Sequence, residues 1–130
     1  MTSSELVRSF FATLSSGDLE CLREFFDDES TWDICATGIP GAGTHTGREG
    51  IVDGFLRPVR GLFESGEPKV EITNLVADGN LVAVEATGRG RFLDGREYDN
   101  RYAYWIEVDG GTIRTIKEYM DSSYVAGLAL

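Results

Sequence analysis

The sequence predicts an α+β fold: a cone-shaped, curved antiparallel sheet wrapped around three helices and enclosing a cavity. Three observations carry this prediction. Apolar residues recur at helical spacing through most of the first half of the 130 residues and alternate at strand spacing through the second. The second half is punctuated by "DGN", "DG" and "DGG", short turn signals that join neighbouring antiparallel strands. Finally, the run "REYDNRYAYWIEV" puts Tyr98, Asn100, Tyr102 and Tyr104 on one strand face, where an ordinary core carries leucine and valine. Hydroxyls and an amide pointing inward suit the wall of a ligand cavity.

Each element follows in order. Thr2 and Glu5 have capping-box spacing, and Leu6, Val7, Phe10, Phe11 and Leu14 continue at intervals of a helix. Gly17 stops that helix, and Asp18 caps a second one carrying Leu19, Leu22, Phe25 and Phe26. A short strand begins near Ser30 within "FFDDESTWDICA". The segment "TGIPGAGTHTG" is too rich in glycine and proline for either regular element and reads as a loop. Helical spacing returns in "REGIVDGFLRPVRGLF" through Ile51, Phe55, Val59 and Leu62, with Pro58 expected to kink or divide the helix. Four strands are expected over residues 69–77, 80–92, 96–109 and 112–121. No repeat, linker or low-complexity tract interrupts this order, so residues 1–130 read as a single domain.

Composition narrows the function. Twenty-two acids against 12 bases give a net charge of −10, with no basic stripe to offset it. Nucleic acid and anionic membrane surfaces are therefore expected to be repelled. No run approaches the roughly 18 apolar residues of a membrane span. The start, "MTSSELVRSFF", lacks the basic and apolar regions of a secretion signal. Cys21 and Cys35 fall in apolar periodic segments and read as buried free thiols, so a reducing, cytoplasmic setting is expected. One histidine and two separated cysteines offer no clustered spacing for a metal. "GIPGAG" lacks the strand-to-helix context of a dinucleotide fingerprint, and no cofactor is expected.

Three stretches then carry a resemblance: "SSGDLECLREFFDDESTWD", "GTHTGREGIVDGF" and "DGREYDNRYAYWIEVDGGTIRTIKEYMD". With the order of elements, they resemble the nuclear-transport-factor-2-like superfamily, and within it the SnoaL-like polyketide cyclases and ketosteroid isomerase-related proteins. The resemblance covers residues 4–122. It implies the cone fold and a reaction drawn from acid–base chemistry, although the superfamily also holds non-catalytic binding modules.

Residue by residue, resemblance to a steroid isomerase implies a tyrosine, an aspartate base and an acid donor where this chain has Phe10, Ile34 and Tyr104. Asp33 neighbours the second place but belongs to the other strand face. Resemblance to limonene epoxide hydrolase implies an arginine and an aspartate where Ala86 and Gly88 stand, and an aspartate where Glu118 stands. Glu118 thus survives as a candidate base. A carboxyl at an apolar, tyrosine-lined cavity is desolvated, which raises its pKa towards neutrality and suits it to take a proton beside a carbonyl. The alternative is that Glu118 merely pairs with Arg89 or Arg91. SnoaL-like cyclases carry an aspartate base near this end of the chain, which makes Asp121 the second candidate; the alternative is that it caps "SSYVAGL". The family layout sets Phe55 opposite Trp32, both reading as apolar cavity wall, with ordinary core as the alternative for Phe55. His45 falls in the glycine-rich loop, which reads as a lid over the cavity; the alternative is a solvated loop histidine. Tyr98, Asn100, Tyr102 and Tyr104 complete the expected substrate-binding set, around a pocket of roughly several hundred Å³.

The opposite face of the same strand holds Glu97, Asp99, Arg101, Ala103, Trp105 and Glu107. A large aromatic among charges suits a partner surface, and the resemblance implies pairing through sheets, so a homodimer through the Trp105 face is expected. The reading is a cofactor-free isomerase, cyclase or dehydratase acting on a small, largely apolar carbonyl or polyketide-like compound. Its alternatives are a non-catalytic small-molecule binding module on the same cone and a structural dimerisation domain.

Overall fold

The helix that opens the chain, α1 (Ser3–Ser16), starts as its sequence dictates. The Thr2 hydroxyl accepts from the Glu5 N–H and the Glu5 carboxylate accepts from the Thr2 N–H, each at 3.1 Å. Gly17 ends it in the left-handed region at φ 79°, where a side chain would be strained. Leu6, Val7, Phe10, Phe11 and Leu14 form its buried stripe. This computed structural model describes residues 1–130.

The second helix is shorter than its spacing suggests. One turn, α2 (Leu19–Leu22), tightens into a 3₁₀ turn over Arg23–Phe25 before Phe26 becomes extended. Next comes β1 (Thr31–Ile34). The glycine-rich segment then departs from expectation, because it contains a strand, β2 (Gly43–Thr46). β2 is an edge strand that pairs antiparallel with β1, Trp32 opposite His45. Strand propensity is weak and contextual, so an adjacent ladder suffices to order a segment that its composition marks as loop.

The next helical run is α3 (Gly47–Ile51), a π-helical turn over Val52–Leu56, and α4 (Arg57–Arg60). The division expected at Pro58 takes the form of a widened turn just before it. Pro58 has no N–H to donate, and Arg57 donates instead to the Val52 carbonyl, five residues back.

The remaining elements are β3 (Lys69–Asp78), β4 (Leu81–Arg91), β5 (Glu97–Asp109), β6 (Thr112–Met120) and a short helix, α5 (Ser122–Gly127). The six strands lie in the order β2-β1-β6-β5-β4-β3. The sheet is mixed rather than wholly antiparallel, since β1 runs parallel to β6, with Ile34 beside Glu118. Register shifts between Ile72 and Asn74 and between Glu107 and Val108 are bulges, which bend and twist a sheet locally and help it curl. Ser15 ties α1 to β3: its hydroxyl accepts from the Val70 N–H and donates to the Val70 carbonyl, both at 2.7 Å.

Twenty-six buried apolar residues form one continuous core between the helices and the inner sheet face. Phe10 lies at its centre, edge-on to Phe11, Phe25, Phe26 and Trp32. Such contacts contribute about 0.5–1.5 kcal/mol each beyond area burial. The cysteines are unpaired, as expected, but not buried: Cys21 is exposed and Cys35 half-buried. Cys21 sits on the outer side of α2, its thiol 3.0 Å from the Asp18 carboxylate. No helix is long and apolar enough to cross a membrane.

Candidate functional site

The inner face of β5 reads as its alternation predicts. Tyr98, Asn100 and Tyr104 are buried and Tyr102 half-buried, while Glu97, Asp99, Arg101, Ala103 and Trp105 point outward and are exposed. Strand pairing sets Tyr104 directly opposite Glu118 on β6, and β1 brings Trp32 to the same place from the other side. The Trp32 indole Nε1 donates to Glu118 Oε1 at 3.2 Å.

Glu118 is buried and has no cationic partner. Arg89 pairs with Asp99 and Arg91 with Glu97 on the outer surface, so the alternative role of ion pairing falls away. Burial pushes the Glu118 carboxyl up to about 8, against the downward pull of the Trp32 N–H and the Tyr104 hydroxyl. Burial also raises the phenols of Tyr98, Tyr102 and Tyr104, and the nearby Glu118 carboxyl adds to this. These hydroxyls are donors throughout the ordinary pH range.

A cavity of about 100 Å³ opens against these groups, lined mainly by apolar side chains. Trp32, Phe55, Tyr98, Tyr102, Tyr104 and Glu118 all reach it. Trp32 and Phe55 meet edge to face at 5.3 Å, so the wall assigned to them is formed as expected. The volume is smaller than the several hundred Å³ expected. Ile39 and Pro40 from the loop before β2, and Leu62 and Phe63 after α4, form part of its wall.

Two predicted residues fall outside the lining. Asn100 is buried one layer behind it. Its Nδ2 donates to the Tyr98 hydroxyl at 3.0 Å and its Oδ1 accepts from the Arg101 N–H at 2.8 Å. Asp121 is exposed beyond the end of β6, where its carboxylate accepts from the Tyr124 N–H at 3.1 Å and caps α5. The strand ends at Met120, so Asp121 no longer follows the alternation that turns Glu118 inward. His45 is no loop residue. It lies on β2, stacked on the outer side of Phe55 at 4.5 Å, with Nε2 2.7 Å from the Gly41 carbonyl.

Two contributors went unread in the sequence. Arg60, at the end of α4, lines the cavity and donates through Nη2 to the Pro68 carbonyl at 3.0 Å. Gly88 faces inward on β4, where an added Cβ would lie 2.6 Å from Tyr102 Cε2. The absence of a side chain at Gly88 is what lets the Tyr102 ring occupy its place. Phe10 and Ile34 are buried, as is Ala86, so those three places hold apolar core.

The sequence pattern of the SnoaL-like domain family matches residues 7–116. Among solved structures, Bal32a from a soil-derived mobile gene cassette is 25% identical with a TM-score of 0.81, covering 95% of this chain and 92% of that one. A hypothetical protein with a ketosteroid isomerase-like fold from Catenulispora acidiphila DSM 44928, solved in complex with trimethylamine, is 24% identical with a TM-score of 0.78, covering 93% and 88%. An NTF2-like protein from Burkholderia thailandensis E264 is 21% identical with a TM-score of 0.86, covering 100% and 98%. No curated protein matches the sequence. The structures share the fold, and the family match runs from α1 into β6: the chain belongs to the SnoaL-like domain family, with an NTF2-like α+β fold.

Proposed function

We propose that this protein is a cofactor-free acid–base enzyme that isomerises, cyclises or dehydrates a small, largely apolar carbonyl or polyketide-like compound, with Glu118 as the proton-transfer group. The observation that carries this reading is a buried carboxyl, unpaired with any cation, facing an apolar cavity. Such a group costs stability when it ionises, and a site of this kind is where perturbed acids and bases gather in enzymes. As carboxylate, Glu118 takes a proton from the carbon next to the substrate carbonyl. The electron pair moves onto the carbonyl oxygen, and the Tyr104 and Tyr102 hydroxyls are the donors available to hold that enolate. The Glu118 carboxylic acid then returns the proton to another carbon, or to a departing hydroxyl, and the base is regenerated. A pKa near the working pH lets one group perform both transfers.

The same reading includes a homodimer through the outer sheet face, where Val76 on β3, Trp105 on β5 and Tyr119 on β6 are exposed around one shallow depression, and a cytoplasmic setting, which suits two unpaired thiols.

The test is Glu118→Gln, which keeps the shape and removes the ionisable group. Turnover is expected to fall by roughly two to four orders of magnitude while ligand affinity changes far less. In the wild type, kcat/KM should rise with pH and level off above about 8, the region in which the Glu118 carboxyl ionises. Asp121→Asn is the paired control and should leave turnover nearly unchanged. Loss of turnover in Asp121→Asn with a near-silent Glu118→Gln would overturn the assignment. If the ligand binds and neither change matters, the cavity is a receptor and the chain a binding module.

A further inference from the structure

We infer that the cavity selects ligands carrying an ionised oxygen, a carboxylate or an acidic enol in its enolate form, and that Arg60 together with Tyr102 forms the subsite for it. The inference rests on the reading of this cavity as the ligand site, and it adds the charge of what enters.

The first observation is a missing partner. The chain has ten more acids than bases, so carboxylates are plentiful. Arg23, Arg57, Arg89, Arg91, Arg96 and Arg114 each pair with at least one. Arg8, Arg48 and Arg101 have none, but they are exposed and water serves them. Arg60 is half-buried against the cavity, is the only basic side chain lining it, and has no carboxylate either. One of its five N–H donors is used, on the Pro68 carbonyl. Burial lowers its pKa, partly offset by the neighbouring Tyr102 and Tyr104 hydroxyls, so the guanidinium carries a desolvation cost that no carboxylate on this chain repays.

The second observation is a chain of hydrogen bonds that ends at the cavity wall. The Asn100 Oδ1 is occupied by the Arg101 N–H, which fixes the amide so that Nδ2 donates to the Tyr98 hydroxyl. The Tyr98 hydroxyl makes a short contact with the Tyr102 hydroxyl, in which either oxygen can be the donor. The Tyr102 ring lines the cavity, so this linked pair of phenols ends at the cavity wall. An anion that accepts from Tyr102 is served when Tyr98 donates to Tyr102, the direction that the Asn100 donation to Tyr98 strengthens. A buried asparagine behind the wall is thus linked through Tyr98 to a phenol of the cavity that Arg60 also lines. A cation without an anion and a phenol whose proton a ligand can claim are complementary to one negatively charged oxygen.

The experiment is calorimetric titration of the intact protein at pH 7 with two isosteric probes, benzoate and benzamide, on wild type, Arg60→Met and Arg60→Lys. Wild type is expected to bind benzoate at least about tenfold more tightly than benzamide, in line with a charge-assisted hydrogen bond. Arg60→Met should erase that preference, and Arg60→Lys should keep part of it. Equal binding of the two probes by wild type, or an undiminished preference in a folded Arg60→Met, overturns the inference. Should Arg60→Met fail to fold by near-ultraviolet circular dichroism, the wild-type comparison and Arg60→Lys decide alone. Turnover by Glu118→Gln separates this inference from the proposed reaction. A catalytic loss there without any benzoate preference sinks the subsite and leaves the reaction standing. A benzoate preference with unchanged turnover does the reverse.

Discussion

A carboxyl that folds into an apolar cavity ties stability to pH in the direction opposite to most acids. The Glu118 carboxyl titrates at about 8 in the fold against 4.5 as a free side chain. Between those two values the folded chain holds the proton and the unfolded chain does not. Stability therefore falls as pH rises from about 4.5 to about 8, by up to about 1.4 kcal/mol per unit, and flattens above. Glu118→Gln lacks this term. Urea denaturation of both proteins at pH 5, 6, 7 and 8 should show the variant gaining on wild type with each step, and a constant difference would sink the raised pKa. Glu118 was legible through the resemblance, which implies a carboxylate at its place on the last strand. Asp121 came from the resemblance alone, and the strand ends one residue before it, where it caps α5 instead. Arg60 was invisible: in "RPVRGLF" it is one of two arginines, and only the helix axis decides which of them turns to solvent. Asn100 was placed on the correct face, but depth behind a tyrosine ring is not written in a period of two.

At the scale of the element, one glycine shapes the wall of the cavity. Gly88→Ala puts a Cβ 2.6 Å from the Tyr102 ring, too close to stand, so the ring must swing and its contact with Tyr98 must break. Overpacking of this kind costs about 1–3 kcal/mol. Gly50→Ala is the matched control. It lies in α3 with nothing within 4 Å of the new methyl and no positive φ, and helix propensity favours it by about 0.5–1 kcal/mol. Thermal denaturation should move the two variants in opposite directions; a Gly88→Ala protein as stable as wild type would mean that Tyr102 has no fixed place. The long strands and α1 were legible because their patterns run for nine residues or more. β2 was not, since its order comes from the ladder on β1 rather than from its own residues. Nor was the cavity's size, which depends on how far Ile39 and Leu62 reach from segments that carry no periodic signal.

At the scale of the molecule, the outer sheet face makes a separate prediction. Val76, Trp105 and Tyr119 are 69%, 46% and 49% exposed, in a chain whose other surfaces are strongly charged. Under the proposed pairing, Trp105→Glu sets an unpaired charge in the contact, which is strongly unfavourable. Light scattering should then give a dimer for wild type and a monomer for the variant, and a wild-type monomer at micromolar concentration would remove the interface. The topology was legible up to one point: hairpin signals order β3 to β6 as a meander, but nothing local says that β1 joins the far side of β6. That pairing has a consequence for how the molecule comes into being. Trp32 and Glu118 are 86 residues apart, and β6, the neighbour that β1 joins, is the last of the six strands to be made. The meander needs only short loops to close, whereas docking β1 closes most of the chain, an entropically late event. During synthesis α1, β1 and β2 leave the ribosome before β6, the strand that joins β1 to the rest of the sheet, has been made. Pulse-labelled amides should gain protection first on β3 to β6 and last on β1, so the cavity and its acid are assembled only at the final step of folding.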